Sequence, residues 1–320
     1  MFLTDALELT IVVLIALIGV VGNILVVIVI HHLGKKKRPG DCYLQSLAIA
    51  DIGTLLITSP LVIIRMEMNW PFGEFACLYI FPVVEIFYGA SVWSIVVIAA
   101  NRYHQMFSLK IFGRTRPSIK RAKTIAALVW VLSFIILCFP LYFAVDYHEL
   151  LNGGQFCGPV KWTHFSETAY IICLTLLTYV IPLAVISFTY VAISRVLRQN
   201  IDLIKAMKQV LPPVATSPSN QRDHLTHVKS IRLKQNIRAR KILSPLVVTF
   251  AVTMLPLNVF RLTMMFWPAG VSGQEYFKHF LYGLVISTTI NSAANPIIYS
   301  VVSGDFRKGI LNNLRCINWV

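Results

Sequence analysis

The chain has 320 residues, of which 56% are hydrophobic and 13% charged, with a formal net charge of +15. So apolar a composition excludes an ordinary soluble domain. The basic excess would suit nucleic acid, but the way it is distributed assigns it to one face of a membrane instead, so no nucleic-acid partner is expected.

A membrane-crossing helix needs about 20 mostly apolar residues. Stretches of that kind occur in chain order at 7–30, 43–66, 76–107, 122–143, 169–191, 243–266 and 277–302. They predict an all-α membrane protein, a seven-transmembrane helix bundle over residues 1–302, with residues 303–320 as a membrane-surface helix and tail. The first stretch has neither a preceding basic region nor a small-residue cleavage site, so it reads as a signal anchor.

Of the 29 Lys and Arg residues, 25 fall on one side of these spans, among them Lys35, Lys36, Lys37, Arg38 and eleven between Arg195 and Lys241. Positive loops stay inside, which predicts a multi-pass plasma-membrane protein with its N-terminus outside and its C-terminus cytoplasmic. The same cations would meet anionic membrane lipid.

Between spans five and six, Val210 to Lys229 contains PPVATSPSN and reads as a flexible linker joining two basic helical stubs. Beyond Tyr299, the piece DFRKGILNNLRC sets Phe306, Ile310 and Leu314 at helical spacing, which predicts a short amphipathic eighth helix with Cys316 as a palmitoylation site. Cys77 opens span three and Cys157 lies in the longest outer loop, so both meet an oxidising compartment and are expected to form a disulfide. No Cys and His spacing suggests zinc.

Asp51 stands in the middle of span two, where an ionised carboxylate costs roughly 2.5–3.5 kcal/mol unless it finds partners. Ser91, Asn291 and Asn295, with Asn23 and Ser292, lie at comparable depth. Such a set holds a sodium ion, takes up a proton, or simply ties helices together by hydrogen bonds. Prolines at 60, 82, 140, 182, 256 and 296 supply hinges.

Taken in order, Gly22–Asn23, LAIAD ending at Asp51, WPFG from Trp70, Cys77 with Cys157, Asn101–Arg102–Tyr103, Trp130, Pro182 with Tyr190, Phe250 before Pro256, and NPIIY from Asn295 to Tyr299 resemble a rhodopsin-like (class A) G-protein-coupled receptor. The resemblance spans essentially the whole chain. It implies that Arg102 is a cytoplasmic switch that swings toward Tyr190 and Tyr299 as span six moves outward, near Asn295 and Pro296, opening a pocket for a heterotrimeric G protein. Arrestin is a second implied partner, with Thr216, Ser217 and Ser219 as phosphorylation candidates.

Two departures matter. Family members usually carry an acid where Asn101 stands, and many carry another at Asn236, so Arg102 is expected to be weakly latched and basal signalling raised. Met254 occupies the place of the usual span-six tryptophan, which leaves Phe250 to carry more of the coupling.

Val84 and Thr289 replace the aspartate of amine receptors and the lysine of opsins, which argues against both ligand classes. The candidate ligand-binding set is Arg65, Glu85, Tyr88, Asn258, Arg261, Lys278 and Tyr282. A Glu85–Arg261 pair across the cavity resembles the ghrelin, motilin and neuromedin U receptor branch and points to an extracellular peptide. The alternatives are an acidic lipid or carboxylate metabolite seated on Arg261, or a ligand-independent or decoy seven-helix protein. No nucleophile and base can be paired from sequence, so no enzyme is expected. Apart from a modulating sodium ion, no cofactor is expected.

Overall fold

The computed structural model describes residues 2–34, 37–67, 70–111, 118–149, 153–210, 220–266 and 277–302. Within these ranges, side chains are described outside residues 2–5, 67, 107–111, 200, 203–236, 238–239, 242 and 302. The eighth helix, Cys316 and the Thr216, Ser217 and Ser219 cluster lie outside the described residues.

Among the described residues, seven long helices follow one another. Helix α1 is Phe2–His32. Helix α2 is built from Pro39–Gly53, Thr54–Thr58 and Ser59–Glu67. Helix α3 runs through Gly73–Phe75, Ala76–Ile80, Phe81–Val83 and Val84–Ile111. Helix α4 comprises Ile119–Ser133, Phe134–Cys138 and Phe139–Phe143. A hairpin of β1, Val145–Glu149, and β2, Gln155–Pro159, leads into α5, which is His164–Thr175, Leu176–Val180 and Ile181–Val210. Helices α6, Asn220–Phe266, and α7, Phe277–Val302, complete the bundle.

Six of these helices are long and apolar enough to cross a membrane by themselves. Helix α7 is interrupted by buried polar groups, Thr289, Asn291, Ser292 and Asn295. Inside a bundle those groups find partners, so the helix spans by packing as well as by apolarity. Helix α1 packs on α7 and α2, α2 on α3 and α4, α3 on α4 and α5, α5 on α6, and α6 on α7, which closes the ring. Large apolar side chains such as Leu14, Leu17, Ile18, Leu56, Phe188 and Val252 are exposed outward, as lipid requires.

The prolines leave a regular mark. Pro60, Pro82, Pro140 and Pro182 each follow a five-residue π-helical segment by one intervening residue. Proline has no N–H to donate, and its ring crowds the carbonyl one turn back. Widening the preceding turn relieves that clash while keeping the backbone bonded.

The linker expected from Val210 to Lys229 is corrected to a shorter segment, because α6 already begins at Asn220. Leu225, Val228 and Ile231 recur every three residues there, a helical spacing that the polar composition obscured. Residues 211–219 lie outside the described residues.

Candidate functional site

Polar side chains gather at three levels of the bundle. At the outer level, Cys77 and Cys157 are joined by a disulfide that ties β2 to the start of α3. Trp70 is 2% exposed and packs with Cys77, Phe81, Leu141 and Val145. Its backbone N–H donates to Gln155 O at 2.8 Å and its indole N–H to Gly73 O at 2.8 Å. Gly73 has φ +72°, a left-handed conformation that suits glycine. The WPFG stretch is thus a bracket holding the hairpin over the bundle.

Beneath that bracket lies a cavity of about 500 Å³ lined from α2, α3, α6 and α7, a size usual for ligand sites. Arg65, Glu85, Tyr88 and Arg261 all contribute to its wall. Arg261 Nη2 stands 3.8 Å from Glu85 Oε1, and its guanidinium lies 5.1 Å from the centre of the Tyr88 ring. Glu85 Oε2 and Arg261 Nη1 are buried with no hydrogen-bond partner among the described residues. Tyr88 donates to Thr178 Oγ1 at 3.3 Å.

Three further residues of the predicted ligand set stand apart from this wall. Asn258 is buried and donates to Met254 O at 2.8 Å. Tyr282 is 1% exposed and wedged among Val12, Ile63 and Val285. Lys278, at the start of α7, is partly buried outside the lining. Sequence reasoning missed Phe260, Phe277 and Leu284, whose apolar side chains complete the wall; their only signal was position toward the same end of α6 and α7 as Arg261 and Lys278.

At mid-depth, Asp51 is fully buried. Ser91 Oγ donates to its Oδ1 and Asn295 Nδ2 to its Oδ2, both at 2.7 Å. Asn291 faces α6, where its Oδ1 accepts from Thr253 Oγ1 at 3.2 Å. Asn23 donates to Gly19 O at 2.9 Å and to Ser292 O at 3.2 Å, bridging α1 and α7. Phe250, fully buried, stacks on Tyr179 at 6.1 Å between ring centroids, with Met254 in the same core.

At the other end, Arg102 is partly buried. Asp41 lies in the first turn of α2, where its Oδ2 accepts from the Arg38 N–H at 2.6 Å. The α2 start also meets Asn101, whose Nδ2 is 3.6 Å from where a Cβ on Gly40 would stand. Among the described residues no carboxylate stands within ion-pair distance of Arg102. The side chain of Asn236 lies outside the described residues. Tyr103 lies 5.9 Å from the Phe188 ring, Tyr190 packs against the central core, and the hydroxyl of buried Tyr299 has no hydrogen-bond partner among the described residues.

Comparison with known proteins agrees with this architecture. The chain is 28% identical to the QRFP-like peptide receptor of Branchiostoma floridae over 312 residues, covering 95% of this chain and 76% of that one. It is 28% identical to neuromedin-U receptor 2 of Rattus norvegicus over 310 residues, covering 93% and 73%. It is 26% identical to galanin receptor 2a of Danio rerio over 306 residues, covering 95% and 76%. The profile of the 7 transmembrane receptor (rhodopsin family) matches residues 22–299, so the chain is a membrane-spanning receptor of that family.

Proposed function

We propose that the receptor is activated by an extracellular peptide that enters the outer cavity and engages Glu85 and Arg261, and that it signals to a heterotrimeric G protein through Arg102. The observation carrying this reading is the loose pair: at 3.8 Å the two groups sit at the outer limit of an ion pair, each with an unused polar atom. A buried pair so poorly satisfied gains by admitting a polar ligand between its members. The similarity to receptors named for peptides supports the same reading.

The basic loops support an N-terminus outside and a C-terminus in the cytoplasm of the plasma membrane. The disulfide agrees, since it needs an oxidising side. The Asp51 carboxylate and the Ser91 hydroxyl beside it supply oxygens suited to a modulating sodium ion, whereas Asn295 turns its Nδ2 to Asp51 and Asn291 is committed to Thr253.

The test is G-protein dissociation in cells, with a peptide library, for the natural chain, Arg102→Ala and Glu85→Gln at matched surface expression. Peptide responses lost in Arg102→Ala and right-shifted in Glu85→Gln support the proposal. Responses unaffected by Glu85→Gln would remove the pair from ligand recognition, and a silent receptor across the library would favour a decoy or a non-peptide ligand.

A further inference from the structure

Among the described residues that line the outer cavity the charges do not balance, and the surplus sits on one residue. Glu85 and Arg261 answer each other. Arg65 lines the same cavity but is held by rings rather than by an acid. Its guanidinium carbon lies 5.1 Å from the centre of Phe81 and 5.8 Å from that of Phe156. Gly158 closes over it, since a Cβ there would stand 2.8 Å from Nη2. Among the described residues no carboxylate lies within ion-pair distance of Arg65. Asp146 of the overlying hairpin is taken by Lys161 at 3.0 Å and His148 at 3.1 Å.

An arginine at the end of a membrane helix ordinarily extends its stem to reach water. Arg65 is instead half-buried under the hairpin, at a cavity lined also by Val62, Leu257 and Leu284. Rings on two sides hold the guanidinium, and a guanidinium carries a fork of N–H donors, the geometry that binds a carboxylate through two parallel hydrogen bonds. A lone cation in apolar surroundings is costly until such a partner arrives.

We infer that the part of the ligand entering this cavity is a carboxylate next to an apolar group, seated on Arg65. This deepens the receptor reading above and rests on it. The free C-terminus of a peptide ending in an apolar residue and the head of a fatty acid share that chemistry. A C-terminal carboxamide lacks the charge.

The test begins with the purified full chain in phosphatidylcholine nanodiscs. Thermal unfolding is followed with N-acetyl-leucine against N-acetyl-leucinamide and decanoate against decanamide. Either acid should raise the melting temperature more than its amide. That difference should vanish in Arg65→Gln and persist in part in Arg65→Lys. Amides that stabilise the natural chain as well as the acids do, or no stabilisation by any acid, would overturn the assignment without recourse to a variant.

A cellular arm uses the peptide library in free-acid and C-terminally amidated forms. Amidation should weaken active peptides about tenfold or more, the loss of a charge-assisted pair. Peptides equally active as amides would overturn the carboxylate assignment while leaving the peptide receptor intact. Decanoate that stabilises and activates through Arg65, with every peptide silent, would uphold the assignment and overturn the peptide reading.

Discussion

Gly22 of α1 lies so close to Pro296 of α7 that a Cβ on the glycine would stand 2.8 Å from the proline Cβ. The contact explains why a glycine precedes Asn23: only without a side chain can α1 approach α7 closely enough for Asn23 to reach Ser292 O. Gly22→Ala should force the helices apart and cost about 1–3 kcal/mol, as overpacking does. A lower melting temperature in detergent, with a ligand profile otherwise unchanged, is the expected result; an unshifted melting temperature would show that the proline yields freely.

The first turn of α2, which carries Asp41, meets Asn101 beside Arg102: the Asn101 Nδ2 is 3.6 Å from where a Cβ on Gly40 would stand. If the Asp41 carboxylate helps to hold the resting state, Asp41→Asn should raise basal G-protein activation, and Asn101→Asp, which adds an acid beside the arginine, should lower it. A change of about 1 kcal/mol in the resting–active balance corresponds to roughly a fivefold change in activity. Basal signalling measured for both variants at equal surface expression checks this, and movement of the two in the same direction would rule the account out.

Removing the disulfide by Cys77→Ser should cost about 2–5 kcal/mol, because the bond closes a long loop between residues 80 apart in sequence. The loss should fall on the outer end, since β2 and the Trp70 bracket are what it fixes. Hydrogen exchange should therefore rise across Gln155–Pro159 while the Asp51 region keeps its protection.

Asp146 supplies a pH dependence. The Lys161 ammonium hydrogen-bonded to it holds its carboxyl below the usual carboxylate range, with the Tyr147 N–H and His148 adding to the effect. A lowered folded-state value means the ionised acid favours the folded hairpin: the contribution is complete above the unfolded value, about 3.9, and fades as pH falls through the folded one. Hairpin protection in the natural chain should drop below about pH 4, whereas Asp146→Asn should be flat there. An equal drop in both proteins would assign the acid sensitivity elsewhere.

Much of the fold could be read because apolar runs of membrane length have few alternative fates. Even α7 was recoverable, as its polar residues interrupt the run without dissolving it. Partners were harder to read. Glu85 and Arg261 share a cavity as helical spacing suggested, but Tyr282, placed with them by depth, turns toward Val12 and Ile63 because its rotation about α7 is set by packing on α1. The approach of the α2 start to Asn101 went unrecognised for a related reason: it arises between separate helices, and KKKRPGD reads locally as a turn and a helix start. The bracket formed by Trp70 and Gly73 had a visible motif but no visible partner, since Gln155 is far away in sequence.

The widened turns before Pro60, Pro82, Pro140 and Pro182 also act as phase adjusters. Each α-helical residue advances the helix by about 100°, so gaining or losing one residue within such a turn re-aims everything beyond it and leaves the inner half in register. Deleting Leu56 from Thr54–Thr58 would swing Arg65 away from the cavity while Asp51 kept its bonds to Ser91 and Asn295. Basal signalling should survive that deletion, and the response of wild-type ligands should not. The outer, ligand-facing third of the bundle can thus be redrawn by single-residue changes in helix length, with the signalling end left untouched.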